Sequence, residues 1–119
     1  MASILVTGAS GRLGSSLIEA LRPTFGNDIA ALIQAGSQEI NGVTNYSADI
    51  EKKESMEKAF NNVDIVVHLA AIVSQYKFGK EKIFRVNVGG TKNVLEMCKE
   101  HSVKKIVFAS SVDVYGANR

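Results

Sequence analysis

A chain of 119 residues can form one compact domain with a hydrophobic core and is too short for two. Fourteen basic and twelve acidic residues leave a formal charge of +2, too small to predict nucleic acid or a membrane surface as a partner. The single cysteine, Cys98, excludes an internal disulfide and fits a reducing cytoplasm. No apolar run approaches the ~20 residues that span a bilayer, and the chain start shows no secretory signal. We expect a cytoplasmic single domain over residues 1–119.

The chain begins with a strand and a helix. Ile4-Leu5-Val6 is short, apolar and followed by glycines, which is typical of a strand buried on both faces. A helix follows, and we expect it to end near Arg22, because proline at position 23 disfavours helical geometry in the residue before it. Four apolar residues define one stripe of this helix: Leu13, Leu17, Ile18 and Leu21.

Two further strands are predicted at Asp28–Ile33 and Val43–Ser47. The polar stretch Gln34–Gly42 lies between them and contains the turn pair Asn41-Gly42. A helical crossover usually needs about a dozen residues or more. We therefore expect this link to be irregular.

The second half of the chain continues the alternation of helices and strands. Asp64–Leu69 is predicted to be a buried strand, Lys105–Ala109 a fifth strand, and Ile83–His101 a long helix. Before the first of these strands, four apolar residues recur at helical spacing after the charged stretch Glu51–Glu54: Met56, Ala59, Phe60 and Val63. The long helix has an inner stripe of Ile83, Val86, Val94 and Met97 and an outer one of Phe84, Val88 and Leu95.

Strands that alternate with helices predict an α/β fold with a parallel sheet and right-handed crossovers. The expected architecture is a doubly wound, Rossmann-like sheet of five strands in the order 3-2-1-4-5, truncated before the last helices and strands. In such a sheet the ligand crevice lies between strands 1 and 4, where the strand order reverses.

A glycine-rich turn, Thr7–Gly14, joins the first strand to the first helix with the spacing GxxGxxG. Gly8 permits a tight turn, Gly11 lets the backbone approach a pyrophosphate, and Gly14 allows the helix to pack closely. The amides and dipole of the helix start favour phosphate charge. A purely structural turn is the alternative, but the position between strand and helix favours dinucleotide binding.

Three more motifs follow in order: Ala48-Asp49-Ile50, His68-Leu69-Ala70-Ala71 and Ser110–Gly116. With the glycine turn, they resemble the N-terminal part of the extended short-chain dehydrogenase/reductases, the NAD-dependent epimerase/dehydratase group. The resemblance implies NAD or NADP as coenzyme and hydride transfer at a carbinol or carbonyl. It also implies a small-molecule substrate, such as a nucleotide sugar or another carbinol or ketone.

The resemblance implies roles for individual residues. Asp49 would hydrogen-bond the adenine amino group and Ile50 would contact the ring, while Ser111 would be the catalytic serine that holds the reacting oxygen. No metal site is predicted. The implied coenzyme-binding residues are Gly8, Gly11, Arg12, Leu13, Gly14, Asp49, Ile50, Leu69, Ala70, Ala71 and Asn87.

Each assignment has a plainer alternative. Asp49 would be a solvated loop carboxylate or a cap for the following helix, Asn87 would be a helix-surface residue, and Ser111 would simply end a strand. His68 is expected to pack at its strand end rather than to act as a base. Cys98 is expected to be an inert helix residue.

Members of this family transfer protons through a Tyr-x-x-x-Lys pair beyond the serine, in which the lysine cation lowers the tyrosine pKa. The sequence has no such pair after Ser111, and Tyr115 belongs to the Val-Tyr-Gly segment instead. We expect this chain alone to be inactive and to lack the substrate domain, either as a fragment of an enzyme or as a truncated product. A non-catalytic dinucleotide-binding module, a redox sensor and a structural fragment with an empty pocket stay open as alternatives.

Two further expectations concern coenzyme choice and association. Gln34 stands where NAD-specific relatives place an acid, so the sequence does not decide between NAD and NADP. The strands at 64–69 and 105–109 are expected to expose an uncovered apolar face. Such a face predicts a homo-oligomer or association with a missing C-terminal part, with the outer stripe of the helix at 83–101 as a second candidate surface.

Overall fold

The computed structural model describes residues 2–69 and 80–108. Its centre is a five-stranded parallel sheet in the order β3-β2-β1-β4-β5, which confirms the predicted topology. The strands are close to their predicted bounds: β1 Ile4–Thr7, β2 Ile29–Ile33, β3 Thr44–Ser47, β4 Ile65–His68 and β5 Lys105–Phe108. The link between β2 and β3 is irregular, as expected.

The first helix, α1, spans Arg12–Phe25 and contains Pro23, so the predicted end near Arg22 was wrong. The preference against helical geometry before proline is modest, and packing outweighs it here, because Leu21 and Phe25 contact the core. Gly26, with φ of 51°, ends the helix, and a short 3₁₀ turn, Gly26–Asp28, leads into β2.

The apolar stripe of α1 is one residue shorter than predicted. Ile18 is fully buried, and Leu17 and Leu21 pack beside it against the sheet. Leu13 is 61% exposed and therefore does not belong to this face. It lies in the first turn of the helix, above the carboxyl edge of the sheet.

The predicted helical segment after β3 is a 3₁₀ helix, Lys53–Met56, followed by a series of turns rather than an α-helix. Its apolar spacing still identified the buried face, because consecutive turns can present the same side chains to the core. Asn62, at φ of 58°, closes the segment before β4. Four side chains of the segment are buried: Met56, Ala59, Phe60 and Val63.

The long helix has three parts, namely α2 Lys80–Phe84, a π-helical segment Arg85–Gly90, and α3 Thr91–Glu100. It begins before the predicted Ile83 and ends one residue before His101. The two stripes are confirmed where side chains are described: Val86, Val94 and Met97 are buried, whereas Phe84, Val88 and Leu95 are exposed. Cys98 is also buried, and burial raises the pKa of its thiol to about 11, consistent with an inert residue.

The core forms two clusters, one on each face of the sheet. Val66 lies in the cluster with Phe60 and Met97, and Val67 in the cluster with Ile18. The expectation that strand 4 would be uncovered was therefore wrong, because packed elements cover β4 on both faces. On β5 the expectation is confirmed, since Val107 and Phe108 are 42% and 47% exposed. No helix in the described parts of the chain is long and apolar enough to cross a membrane.

Candidate functional site

The candidate site lies at the carboxyl edge of the sheet, where the strand order reverses between β1 and β4. Thr7, the last residue of β1, pairs in register with His68, the last residue of β4. From β1 the chain winds outward to β2 and β3 on one side, and later to β4 and β5 on the other. Ligands of open α/β sheets bind in the crevice that this reversal creates.

The glycine turn leaves β1 at this edge. Gly8 has φ of 67°, a left-handed conformation that glycine adopts without strain. Its carbonyl accepts a hydrogen bond from Gly11 N–H at 3.2 Å, which closes the turn. Ser15 N–H then donates to Gly11 O at 2.9 Å in the first bond of α1, so the amides of residues 12–14 precede the hydrogen-bonded ladder.

The start of α1 is suited to an anion. Its N-cap is Gly11, which has no side chain to cover the helix end, and the first turn contains no acidic residue. Arg12 and Leu13 are exposed beside it. An uncapped helix start with a cation next to it favours negative charge.

Gly14 shows why the third glycine is needed. A Cβ atom on this residue would lie 2.5 Å from Gly8 O and 2.6 Å from Ala9 Cα, closer than any real contact. At Gly14 the helix thus packs directly on the glycine turn. Gly11 differs, because a Cβ atom there would meet Gly8 O at an ordinary 3.4 Å.

The loop after β3 contains Asp49 and Ile50. Asp49 Oδ1 accepts a hydrogen bond from Glu51 N–H at 2.9 Å, an Asx-turn contact within its own loop. It does not cap the following helix, because the N-cap of the 3₁₀ helix Lys53–Met56 is Lys52. Ile50 is 9% exposed and packs against Gly90, where a Cβ atom would come within 2.5 Å of its side chain. The contacts of both residues with adenine stay predictions.

The same loop is tied to the long helix. Asn93 Nδ2 donates to Ile50 O at 2.8 Å, and Glu51 accepts bonds from Lys82 and Arg85. The hydrogen bond from Lys82, followed by that from Arg85, lowers the pKa of Glu51. These contacts hold the Asp49–Glu51 loop against the helix before any ligand arrives.

The end of β4 forms the other wall of the crevice. Leu69 is half-buried, and its N–H donates to Thr7 Oγ1 at 3.0 Å. His68 is 5% exposed, with Nδ1 at 2.7 Å from Thr7 Oγ1 and Nε2 at 3.0 Å from Thr91 Oγ1. Burial lowers the pKa of His68, which favours the neutral ring. The expected packing of His68 at the strand end is confirmed.

Asn87 lies in the π-helical segment and is half-buried. Such segments often occur at functional sites. Ala70, Ala71 and the predicted catalytic Ser111 lie outside the described residues, as does Tyr115. Their roles stay predictions.

A polar cavity of about 380 Å³ lies beside the glycine turn, between α1 and the link that follows β2. In the described part of the chain its lining includes the acid Glu39 and no lysine or arginine. Gln34, which follows β2 where NAD-specific relatives place an acid, is not among the lining residues. These are Ser10, Ser15, Ser37, Gln38, Glu39 and Ile40.

Four polar residues connect the segments of the site although none of them was assigned to it from the sequence: Thr7, His68, Thr91 and Asn93. Thr7 and His68 each end a strand at the switch point, and that position was the available signal. For Thr91 and Asn93 the sequence held no such signal, because their hydrogen-bond partners lie 23 and 43 residues away in sequence.

A model described as the 3-beta hydroxysteroid dehydrogenase/isomerase family matches residues 5–119. The chain belongs to this family. Among curated relatives, the L-arabinose 1-dehydrogenase (NAD(P)(+)) of Haloferax volcanii is 34% identical over 97% of this chain and 43% of its own length. An N-acetyl-alpha-D-glucosaminyl-diphospho-ditrans,octacis-undecaprenol 4-epimerase of Escherichia coli O157:H7 is 34% identical over 98% of this chain and 34% of its own length.

Solved structures of relatives agree with the family assignment. A short-chain dehydrogenase/reductase superfamily protein from Agrobacterium tumefaciens, crystallised with bound NAD, has a TM-score of 0.82 and 33% identity. The match covers 98% of this chain and 35% of that protein. The resemblance to the extended short-chain dehydrogenase/reductases is thereby confirmed. The chain spans 34–43% of the length of these relatives.

Proposed function

We propose that this chain binds NAD or NADP as the coenzyme-binding part of an extended short-chain dehydrogenase/reductase. The pyrophosphate would lie on the amides of residues 12–14, beside Gly8 and Gly11. Asp49 and Ile50 would lie near the adenine, and Leu69, Ala70, Ala71 and Asn87 would line the crevice. When bound, the nicotinamide would supply or accept hydride at a carbinol or carbonyl carbon, and Ser111 would hold the reacting oxygen.

The geometry of the glycine turn is the observation that carries this proposal. A merely structural strand–helix turn needs a glycine at the positive φ of Gly8 and at the close approach of Gly14. It does not need one at Gly11, where the backbone is extended and a Cβ atom has room. Glycine at position 11, beside an uncapped helix start, is explained by a ligand that approaches the backbone.

The polar cavity beside the turn supports NAD as the preferred coenzyme. It lies where the adenosine ribose would extend from a pyrophosphate bound at the start of α1. A 2′-phosphate there would meet the carboxylate of Glu39, whereas a 2′-hydroxyl could donate a hydrogen bond to it. Arg12, the cation at the helix start, would then pair with the pyrophosphate.

The relatives support a small polar substrate with a carbinol or carbonyl group. Two of those named above act, by their names, on a sugar or a sugar linked through a diphosphate. We propose the same broad substrate class for the complete protein.

We also propose that the chain self-associates or pairs with a further part of the protein through β5. Val107 and Phe108 are exposed on this edge strand, and edge strands present unpaired backbone groups to other chains. The outer face of the long helix is a second candidate. There Phe84 and Val88 line an open groove of about 440 Å³ together with Arg85, Lys92 and Glu96.

Calorimetric titration with NAD, NADH, NADP and NADPH tests the coenzyme proposal. We expect one of them to bind with a stoichiometry of one per chain. A folded chain that gives no binding heat with any of the four, at concentrations up to about 1 mM, would contradict it. Titration with AMP provides a control for recognition of the adenosine half alone.

A further inference from the structure

The crevice walls are joined by a buried polar bridge centred on His68. One ring nitrogen of this histidine lies 2.7 Å from the hydroxyl of Thr7, and the other lies 3.0 Å from the hydroxyl of Thr91. Thr7 immediately precedes the glycine turn, and Thr91 is the first residue of α3. A single imidazole thus links the start of the turn to the helix that contains Asn87.

The same contacts also connect the ends of β4 and β5 to β1. Thr7 Oγ1 accepts the N–H of Leu69 at 3.0 Å, so the exit of β4 is fixed to the exit of β1. The ring of Phe108, at the end of β5, contacts His68 edge-on with a centroid separation of 5.8 Å. His68 therefore contacts the end of β1, the end of β5 and the start of α3.

We propose that His68 is a positioning residue, whose ring sets the spacing between the glycine turn and the helix segment Asn87–Thr91. It would not contact the reacting atoms. This inference rests on the proposed function, because the spacing matters only if a coenzyme lies between these walls. It adds a residue to the site that the glycine motif does not contain.

The chemistry of the ring explains why a histidine suits this position. A neutral imidazole has one donor and one acceptor nitrogen, and each threonine hydroxyl can act as either. Both ring nitrogens are therefore satisfied in either tautomer, with no charge brought into the interior. If one hydroxyl is removed, a buried ring nitrogen loses its partner, and the ring is expected to rotate or shift to find another.

The test uses Thr91, which lies outside the proposed coenzyme contacts. Thr91→Val keeps the side-chain shape and removes the hydroxyl, whereas Thr91→Ser keeps the hydroxyl. We expect the T91V variant to raise the coenzyme dissociation constant by about fivefold or more, while T91S stays within about twofold of the wild type. Affinity is measured at a temperature where all three proteins are fully folded.

Nitrogen-15 chemical shifts of the His68 ring provide a readout that bulk stability does not move. We expect T91S to keep the ring shifts of the wild type, and T91V to change them. If T91V changes only the free energy of unfolding and leaves affinity and ring shifts unchanged, His68 is structural and the inference is overturned. Thr91→Ala provides the same comparison should the valine variant not fold.

The wild-type titration separates this inference from the proposed function. Absence of coenzyme binding by the wild type contradicts the proposed function, and the positioning role with it. Binding by the wild type with unchanged binding by both T91V and T91A overturns the positioning role alone.

Discussion

Gly14 and Gly8 are so close that a Cβ atom on Gly14 would lie 2.5 Å from the carbonyl oxygen of Gly8. The contact is between backbone atoms, which cannot rotate away as a long side chain can. The first helix and the glycine turn are therefore packed against each other before any ligand binds. Gly14 is therefore required by the packing of the turn, whereas we assign Gly11 to coenzyme binding.

The first prediction concerns the structural glycine. Gly14→Ala should lower the free energy of unfolding by about 1–3 kcal/mol, because α1 must move away from the turn to admit the methyl group. Urea unfolding followed by circular dichroism measures the change. An unfolding free energy equal to that of the wild type would contradict the close packing.

The matched variant is Gly11→Ala. The methyl group has room, and the residue has an ordinary φ of −76°, so stability should stay within about 0.5 kcal/mol of the wild type. Coenzyme affinity should nevertheless fall about tenfold or more, because the methyl group occupies the path of the pyrophosphate. Retained affinity in a folded G11A variant would mean that the phosphate lies elsewhere.

The second prediction concerns coenzyme choice. The wild type should bind NAD more tightly than NADP, and Glu39→Lys should narrow or reverse that preference, because a cation in the polar cavity attracts a 2′-phosphate. Calorimetric titration with both coenzymes measures the ratio of the dissociation constants. Glu54→Lys makes the same change of net charge at an exposed position outside the cavity and should leave the ratio unchanged. Equal ratios in the wild type and E39K would refute the role of Glu39.

The third prediction concerns pH. Burial lowers the pKa of His68 in the folded state, so the unfolded state binds a proton more readily. The contribution of His68 to stability is therefore complete well above pH 6.5, is lost as the pH falls through about 6.5, and levels off below the folded-state pKa. His68→Gln cannot titrate and should lack this loss. Unfolding free energies at several pH values between about 7.5 and 5.5 should converge for the two proteins as the pH falls. Parallel curves would show that His68 does not titrate as its burial requires.

The fourth prediction concerns association. If β5 is the interface, Val107→Lys should shift a sedimenting oligomer towards monomer, because the lysine charge opposes pairing at the edge strand. Val88→Lys makes the equivalent change on the outer face of the long helix. Analytical ultracentrifugation at tens of micromolar therefore distinguishes the two surfaces. A wild-type chain that is a stable monomer at this concentration would contradict both.

Strands β1, β2 and β4 were predictable because buried parallel strands are continuous apolar runs, and their order followed from the doubly wound pattern. The irregular link was predictable because it is too short for a crossover helix. The end of α1 was not predictable, because its contacts at Leu21 and Phe25 outweigh the local effect of Pro23. Leu13 was misassigned for a related reason. An apolar residue in the first turn of a helix has the same spacing whether it faces the core or an open crevice.

The candidate site was predictable only in part. Gly8 and Gly14 can be assigned from the turn alone, since one needs a positive φ and the other a close approach. The bridge through His68 and the bond from Asn93 to Ile50 depend on partners that only the folded chain brings together. No local pattern in the sequence encodes those contacts.

The central claim is that a pyrophosphate lies on the first amides of α1. Two-dimensional nitrogen–proton spectra of the labelled chain, recorded during titration with NAD, test it most directly. We predict that NAD causes saturable chemical-shift changes concentrated in the amides of residues 8–14. Adenosine, which has no phosphate, should cause smaller changes in the same amides. Saturable NAD binding with no shift in these amides, or no binding by a folded chain, would contradict the claim.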